Sequence, residues 1–391
     1  MTFEHCALGE ICDFIDYRGK TPEKTASGIP LITAKIVKNG FIQRPEEFIA
    51  EEAYDAWMRR GIPKCGSVIM TTEAPLGEVA RIDTDARLAF AQRIIILEPD
   101  ESRLDSQYLY YAMRDSVLLG RIKARATGTT VTGIKAAELK KVIIDFPDLD
   151  TQLRIAETLG SIDRKIRNNE LENDNLLQQA RALYQHWVAG STSATYRLSD
   201  IADINPETYS PRDDWSFVNY LDTSSITAGT ITEVQYIQPS EEKLPSRARR
   251  ILRKGDVVYS TVRPNQLHYG IISNPKTNML GSTGFAVIRS KVASIPNEII
   301  YLALTEASFT EQMQQLAEQS VSTFPSIRPA DLDACVIRAL EEKDQSYIDA
   351  ITAIFKTISV SDEESQRLAA LRDTLLPRLM TGEIDVSSVA T

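Results

Sequence analysis

The chain repeats itself, and this repeat constrains its architecture more than any other feature of the sequence. GSVIMTTEAP at residues 66–75 is matched by GDVVYSTVRP at 255–264, an offset of 189 residues. LGEICDFI at 8–15 is matched by LSDIADIN at 198–205. Self-similarity at a sustained period indicates a duplicated architecture, so we predict a tandem duplication of a unit of about 190 residues. Further pairs keep an offset of 193 residues through the rest of each half: Tyr108 and Tyr301, Ile134 and Ile327, Leu139 and Leu332, Leu183 and Leu376.

Short β-rich runs and helical stretches in each half predict a mixed fold. SVIMTT and DVVYST follow Gly66 and Gly255, and RIIILEP and GFAVIRS are equally typical of strands. Amphipathic stretches at 105–123 and 296–318 predict a helix in each half. A short helical piece and one more strand close each half. The predicted fold class is α+β, with a mixed β-sheet and flanking helices in each of two tandem domains.

Two long helices are the clearest periodic feature. From residue 151 to 188, apolar residues alternate spacings of four and three around a polar centre at Asn169 and Asn173. The segment from Tyr347 onward does the same, and we expect Pro377 to kink or end it. This spacing predicts an antiparallel coiled coil of roughly 57 Å that separates the two domains. The predicted seam comprises Ile155, Leu159, Ile162, Ile166, Leu176, Leu183, Ile351, Ile354, Ile358, Leu368 and Leu375.

The repeat and the helices together predict four segments. Residues 1–149 form the first α+β domain, and 150–190 form the first long helix. Residues 191–340 form the second domain, and 341–391 form the second long helix.

Charge and composition exclude several classes of protein. A net charge of −10 argues against a simple nucleic-acid binder. However, residues 341–391 hold ten acidic and only five basic residues, which is half of this negative charge, so the rest of the chain can still present a basic face. The longest aliphatic run, Ile94 to Leu97, is far shorter than the roughly 20 residues that cross a bilayer. The four cysteines show no CxxC spacing and no histidine partner, which disfavours disulfides and zinc. We expect a cytoplasmic protein without a membrane segment or a metal site.

No set of residues carries the pattern of an active site. NPETY at 205–209 faintly resembles a methyltransferase loop, but no cofactor loop accompanies it, and a strand-ending turn is the alternative. The Glu-x-Lys triplets at 241–243 and 341–343 lack the upstream Pro-Asp of a nuclease. The three histidines lie far apart and have no nucleophile motif beside them. We predict no catalytic residue.

Residues suited to nucleic acid are concentrated around one strand of the second half. The basic run RARRILRK precedes DVVYST, and the polar loop VRPNQLHYG follows it. Arg, Asn and Gln side chains make bidentate contacts with base edges in the major groove. A solvated charged face is the alternative for the basic run. The candidate DNA-binding residues are Arg247, Arg249, Arg250, Arg263, Asn265, Gln266, His268 and Tyr269.

In the first half, basic residues are interleaved with aromatic side chains such as Tyr17, Tyr54 and Trp57. A hydroxyl-rich loop at 127–130, paralleled near residue 320 by further hydroxyls, offers donors to phosphates. A plain polar loop is the alternative. The candidate DNA-binding residues here are Arg18, Lys20, Lys35, Lys38, Arg44, Arg59, Arg60 and Thr129.

Taken together, these features resemble the DNA-specificity subunit of type I restriction-modification systems. Each recognition domain of that family ends in Gly-Ile-x4-Leu, a short strand, a Pro-rich turn and a Gln that opens the long helix. The first copy has Gly133, Ile134 and Leu139, followed by VIIDFPDLDTQ. The second copy has Ser326 for the Gly and Leu340 for the turn Pro. The helix ends ALYQHWVAG and LLPRLMTGEI are similar to the family's conserved segments.

The resemblance implies a non-catalytic subunit in which two target-recognition domains each read one half of a bipartite, asymmetric site in double-stranded DNA. It implies that the helical pair fixes the unread spacer and docks two copies of an adenine methyltransferase subunit. S-adenosylmethionine would then bind that partner, ATP and Mg would bind a separate motor and endonuclease subunit, and this chain would hold no cofactor.

From the residues alone, two other classes stay open. A fused endonuclease or methyltransferase would show activity as the purified chain. A scaffold that joins two protein-binding domains without DNA is compatible with the acidic total. Steep loss of DNA binding with rising salt would argue against that scaffold, because counterion release accompanies phosphate contacts.

Overall fold

The computed structural model describes residues 2–17, 21–128, 131–190, 195–320, 324–340 and 344–386. They form two compact units, one of Met1–Arg167 with Gln366–Thr391 and the other of Asn168–Ser365. We call these the first unit and the second unit.

The described residues of the first unit form eleven short strands, five short α-helices and part of each long helix. Its strands are β1 (Glu4–Ala7), β2 (Cys12–Asp16), β3 (Ile29–Ile32), β4 (Val37–Lys38), β5 (Phe41–Ile42), β6 (Phe48–Ile49), β7 (Val68–Thr72), β8 (Leu76–Arg81), β9 (Ala89–Phe90), β10 (Ile94–Pro99) and β11 (Ile143–Phe146). Its helices are α1 (Leu8–Ile11), α2 (Tyr54–Trp57), α3 (Ser106–Arg114), α4 (Ser116–Ala124), α5 (Ala136–Leu139) and the start of α6 (Leu149–Gly190).

A four-stranded sheet in the order β2-β10-β7-β8 is the centre of the first unit, and all its pairings are antiparallel. Side chains of a strand alternate between the two faces of a sheet. Ile95 and Leu97 therefore join an apolar core with the helices, whereas Ile94 and Ile96 join a second core with β3 and β9. Both faces are covered, which explains why β10 is a continuous apolar run.

The second unit repeats this arrangement. Its strands are β12 (Thr195–Arg197), β13 (Ala202–Ile204), β14 (Val218–Leu221), β15 (Ile226–Thr227), β16 (Thr230–Ile231), β17 (Gln235–Ile237), β18 (Ala248–Ile251), β19 (Val257–Ser260), β20 (Tyr269–Ile271), β21 (Met279–Ser282), β22 (Phe285–Ser290) and β23 (Val336–Arg338). Its helices are α7 (Leu198–Ile201), α8 (Asn297–Leu304), α9 (Ala307–Glu318), α10 (Pro329–Asp333) and the start of α11 (Gln345–Met380).

The central sheets of the two units have the same strand order. In the second unit the order is β13-β22-β19-β20, again wholly antiparallel. Each unit also contains a parallel pair of strands, β3 with β9 in the first and β14 with β21 in the second. A small sheet joins the first strand of each unit to its last, β1 with β11 and β12 with β23. The predicted α+β fold and its duplication are therefore confirmed.

Two details of the predicted repeat are wrong. The stretches at 105–123 and 296–318 are each two helices, because Asp115 and Glu306 adopt an extended backbone; the Asp115 side chain also accepts a hydrogen bond from the Val117 amide. The pairing of Tyr108 with Tyr301 is also incorrect. Helices α3 and α8 begin at Ser106 and Asn297, which places Tyr110 opposite Tyr301 in the repeat.

In the first unit, the start of α6 and the end of α11 pack antiparallel on the domain. Ile155, Leu159, Leu376 and Leu379 share one apolar core. One turn further along, Asp163 is 6% exposed and accepts a hydrogen bond from Arg372 at 2.8 Å. Helix α11 ends at Met380, just past Pro377, as the sequence predicts.

The hydroxyl of Tyr111 and the guanidinium of Arg114, both on α3, reach the second oxygen of Asp163 at 2.8 and 3.4 Å. This cluster therefore fastens both long helices to the domain of the first unit. We call Asp163, Arg372, Tyr111 and Arg114 the ionic cluster.

In the second unit, the end of α6 and the start of α11 also pair antiparallel, through polar side chains. Asn169 donates hydrogen bonds to Glu364 at 2.8 Å and Ser365 at 3.1 Å. Asn173 donates to Asp362 at 2.7 Å. Because these bonds form in one register only, the polar centre specifies the helix pairing at a cost in stability.

We predict that Arg372→Met destabilises the first unit, because it leaves the Asp163 carboxylate buried without its main counter-ion. The free energy of unfolding should fall by about 3 kcal/mol in chemical denaturation. Arg378→Met is the matched control, since Arg378 pairs with Glu383 at an exposed site of the same helix. Its loss should stay below about 1 kcal/mol. Equal losses for the two variants would contradict the role of the ionic cluster.

We predict that Asp362→Asn stabilises the second unit above pH 6. Burial raises the pKa of Asp362 to about 6, with Glu170 contributing in the same direction. A carboxyl whose folded-state pKa is raised destabilises the fold once it ionises, so the wild type loses stability as pH rises from about 4 to 6. The variant should gain about 1–2 kcal/mol at pH 7 and nothing at pH 3.5. A gain of the same size at both pH values would contradict this, and Asp349→Asn on an exposed turn of α11 is the control.

Candidate nucleic-acid interface

In the second unit, the polar loop after β19 is held against the segment that follows residue 323. The Ile327 amide donates to the Thr261 carbonyl at 2.8 Å, and the Arg263 amide donates to the Pro325 carbonyl at 2.9 Å. The Arg263 guanidinium lies 4.6 Å from the centre of the Phe324 ring. Phe324 is 52% exposed, so this cation–π pair lies at the surface.

The hairpin of β15 and β16 is joined to the same loop. The amide of Ala228 donates to the Leu267 carbonyl at 2.7 Å, and that of Gly229 donates to the Tyr269 carbonyl at 2.8 Å. His268 Nδ1 lies 2.6 Å from the Ile226 carbonyl oxygen, so it donates there as the protonated ring nitrogen. Hairpin and loop thus form one surface, which we call the hairpin–loop surface and define as residues 226–231 and 263–268.

The structure brings four of the five predicted loop residues to this surface and buries the fifth. Asn265 and Gln266 are exposed, and Arg263 and His268 are half-buried. Tyr269 is only 5% exposed, because its ring stacks on Tyr259 at 6.0 Å and packs in the core. The prediction that Tyr269 contacts DNA is therefore wrong for the side chain, although its carbonyl holds the hairpin.

The predicted arginines of the basic run lie on and beside β18. Arg247 is exposed, and Arg249 is half-buried with its Nε 3.3 Å from the Ser246 carbonyl. Arg250 lies opposite Gly281 in the sheet, and burial lowers the pKa of its guanidinium. Its Nε is buried without a hydrogen-bond partner. Arg247 and Arg249 are thus the members of the run best placed for phosphate.

The end of the basic run has a structural role that the sequence does not reveal. Arg253 donates to Glu207 at 2.7 Å, and Arg289 bridges Glu207 and the fully buried Asp256 at 2.7 Å each. Hydrogen bonds from Arg253 and Arg289 lower the pKa of Glu207 to about 2. The NPETY turn is therefore an ion-paired turn, in line with the prediction that it is not catalytic.

In the first unit, the predicted cations lie on two segments. Lys35, Lys38 and Arg44 lie on and beside the hairpin of β4 and β5, and all three are exposed. Lys35 lies 3.4 Å from Glu46 at a fully solvated site. Arg59 and Arg60 follow α2; Arg59 donates to the Ala56 carbonyl at 2.8 Å, and Arg60 donates to the Asp16 carbonyl.

The β4–β5 hairpin carries a signal that the sequence analysis missed. Its turn is Asn39-Gly40, with φ of 56° and 91°, the dipeptide and geometry of a two-residue hairpin. The buried hydroxyl of Tyr110 donates to the Gly40 carbonyl at 3.1 Å, so the tip packs on α3. The equivalent turn in the second unit is Ala228-Gly229, which has no such sequence signature and whose residues are exposed.

The hydroxyl-rich loop of the first unit also lies beside the end of a central strand. Gly133 bridges to Glu73 and Thr127, and the Ile134 amide donates to the Thr72 carbonyl at 3.0 Å. In the second unit, Ser326 bridges to Val262 in the same way, so a serine in place of the family's glycine keeps this geometry. Three predicted residues, Arg18, Lys20 and Thr129, lie outside the described residues.

The predicted seam residues are distributed over both units. Ile155, Leu159, Ile162, Ile166 and Ile351 are buried, whereas Leu176, Leu183, Ile354, Ile358, Leu368 and Leu375 are half-buried. On α11 the deepest positions also include Ile348, Phe355 and Leu376, each one residue beyond a predicted seam position. The buried face is wider than a coiled-coil seam because each helix end packs on a domain as well as on its partner helix.

No helix in the described part of the chain is both long and apolar enough to cross a membrane. Among the same residues, no three His, Cys, Asp or Glu side chains are grouped as metal ligands would be.

Comparisons with known proteins find similarity to one group of DNA-specificity proteins. Residues 2–179 match the family described as Type I restriction modification DNA specificity domain. The chain is 24% identical over 414 aligned residues to the specificity subunit of type I restriction enzyme MjaIX from Methanocaldococcus jannaschii, covering 98% of this chain and 93% of that protein. It is 27% identical over 165 residues to the HindI specificity subunit of Haemophilus influenzae, covering 41% of this chain and 36% of that protein.

The fold has a solved counterpart. The crystal structure of a type I restriction-modification system S subunit from M. genitalium matches 97% of this chain and 96% of its own, with a TM-score of 0.54 at 17% identity. Residues 2–179 are therefore similar to this specificity domain, and the fold of the chain is similar to that of the M. genitalium S subunit.

Proposed function

We propose that this chain is the non-catalytic DNA-specificity subunit of a type I restriction-modification complex. The main observation behind the proposal is that the two units share one fold but expose different side chains at equivalent positions. The two units share their central strand order, yet the β4–β5 hairpin presents Lys38, with Arg44 beside it, whereas the equivalent β15–β16 hairpin presents Thr227 and Thr230. Two copies with unlike surfaces suit a DNA target made of two unlike halves.

Each unit then reads one half of a bipartite target in double-stranded DNA, and the paired helices set the length of the unread spacer. Their outward faces carry exposed apolar side chains that suit protein contact, Leu153 and Leu371 in the first unit and Leu171 and Val360 in the second. Two copies of an adenine methyltransferase subunit are the proposed occupants of these faces, and the motor and endonuclease subunit joins that core.

In this proposal the partner subunits carry out the catalytic steps. The methyltransferase binds S-adenosylmethionine and flips the target adenine, and the motor and endonuclease subunit uses ATP and Mg. This chain contributes binding and orientation, and works on cellular and invading DNA in the cytoplasm.

The direct test is to co-express the chain with the methyltransferase encoded beside it in a host that lacks adenine methylation. Mapping methyladenine by single-molecule sequencing should then give a split motif, two short sequences around a gap of fixed length. A stable complex that methylates no sequence-specific motif would contradict the proposal.

We predict that Arg247→Gln and Arg249→Gln weaken DNA binding through the phosphate backbone. Each lost phosphate contact releases about one counterion fewer, so the slope of log K against log salt should become shallower by about 0.9 per residue. The methylated motif should not change. Arg328→Gln is the matched control, because Arg328 is exposed but paired with Asp331 at 2.8 Å. An unchanged salt slope in the first two variants would exclude these arginines from the interface.

A further inference from the structure

The hairpin of β15 and β16 has an unusual surface for a DNA-binding protein. Every residue from 227 to 233 is exposed, and this run contains no lysine or arginine. Contacts with phosphate need cations, whereas base edges are read by hydroxyls, amides and apolar groups. The exposed hairpin therefore has the chemistry of base contact and lacks that of backbone contact.

Its shape fits the same role. A two-stranded β-ribbon fits into the major groove of B-DNA. Ala228 and Gly229 form the tip, so no side chain larger than a methyl group limits how closely the ribbon approaches the base edges. Hydrogen bonds from the tip amides to Leu267 and Tyr269 carbonyls, at 2.7 and 2.8 Å, hold it in place.

The exposed side chains of the hairpin suit contact with one base, thymine. Thr227 and Thr230 face each other across the hairpin, and each presents a methyl group and a hydroxyl. Adjacent residues of a strand point to opposite faces, so Ile231 faces away from this threonine pair, on the side of its fully buried cross-strand partner Ile226. Methyl and aliphatic groups in the major groove contact the 5-methyl group of thymine.

The equivalent hairpin of the first unit, β4 with β5, presents cations where the β15–β16 hairpin presents hydroxyls. Its tip at Gly40 is buried under Tyr110, and the exposed side chains on and beside it include Lys35, Lys38 and Arg44. That surface suits phosphate, so the two copies of one hairpin differ in what they can recognise.

We propose that the β15–β16 hairpin is the base-reading ribbon of the second unit and that Thr227 and Thr230 select a thymine by contact with its 5-methyl group. This rests on the proposed function and adds the element and the base feature that it reads. Thr227 and Thr230 are specificity-determining residues in this account, and they take no part in catalysis.

The test uses the complex of this chain with its methyltransferase and a duplex that contains the mapped motif. Thr230→Ala should weaken binding to that duplex about five- to tenfold, with the salt slope and binding to random DNA unchanged. Thr230→Ser, which removes only the methyl group, should weaken it less. Mapped methylation should relax at one or two positions in one half of the motif only.

Replacing single thymines by uracil removes the methyl group from the DNA. At the contacted position this should weaken wild-type binding about fourfold, since one buried methyl group is lost, and should leave Thr230→Ala unaffected. Val336→Ala is the matched control, because Val336 is 60% exposed on β23, in another sheet of the same unit. It should bind as wild type does.

An unchanged motif and unchanged affinity in Thr230→Ala would overturn the inference and leave the proposed function intact. Equal weakening on specific and random DNA would also overturn it, because that result marks a backbone contact. The absence of any sequence-selective methylation by the wild-type complex would overturn both.

Discussion

The hydrogen-bonded ion pair of Asp163 and Arg372 is the contact on which the first unit depends. It joins residues that are 209 positions apart in the chain, and each is less than a tenth exposed. A buried charge without a partner costs several kcal/mol, so neither helix can shift along the other without leaving one charge uncompensated. Tyr111 and Arg114 extend this constraint to the domain, since both also reach Asp163.

The ionic cluster is also connected by hydrogen bonds to the β4–β5 hairpin. Arg114 Nη1 lies 2.5 Å from the Tyr110 hydroxyl, which in turn donates to the Gly40 carbonyl at the tip of the β4–β5 hairpin. One chain of hydrogen bonds thus runs from the helix pair to an exposed cationic element of the same unit. The hairpin is therefore positioned by the same contacts that fix the helices.

The duplication explains how one scaffold serves two different surfaces. Both units bury alternate residues of their central strands in two cores, Val257 and Tyr259 on one side and Val258 and Val287 on the other in the second unit. These positions accept few substitutions because they face close-packed interiors on both sides of the sheet. The hairpins contribute Val37 and Ile226 to these cores, but the exposed polar residues of the hairpins and of the loop after β19 lie outside them and are free to diverge.

The sequence predicts the parts of this structure that depend on local pattern. Gly66 and Gly255 mark the starts of equivalent strands, and the alternation of apolar residues marks both long helices. The sequence does not predict features set by distant partners. The burial of Tyr269 depends on Tyr259 and Tyr301, and the pairing of Arg253 depends on Glu207, 46 residues away. The break at Asp115 was in principle visible, because aspartate before a helical stretch is a strong N-cap signal.

The central claim is that each unit reads its half of the target independently. The most direct measurement is to exchange residues 195–340 for the aligned segment of the M. jannaschii MjaIX relative and to map methyladenine made by the assembled complex. The account predicts a hybrid motif that keeps one half of the original sequence and replaces the other. An assembled, active complex whose two half-sequences both change, or both remain, would contradict it.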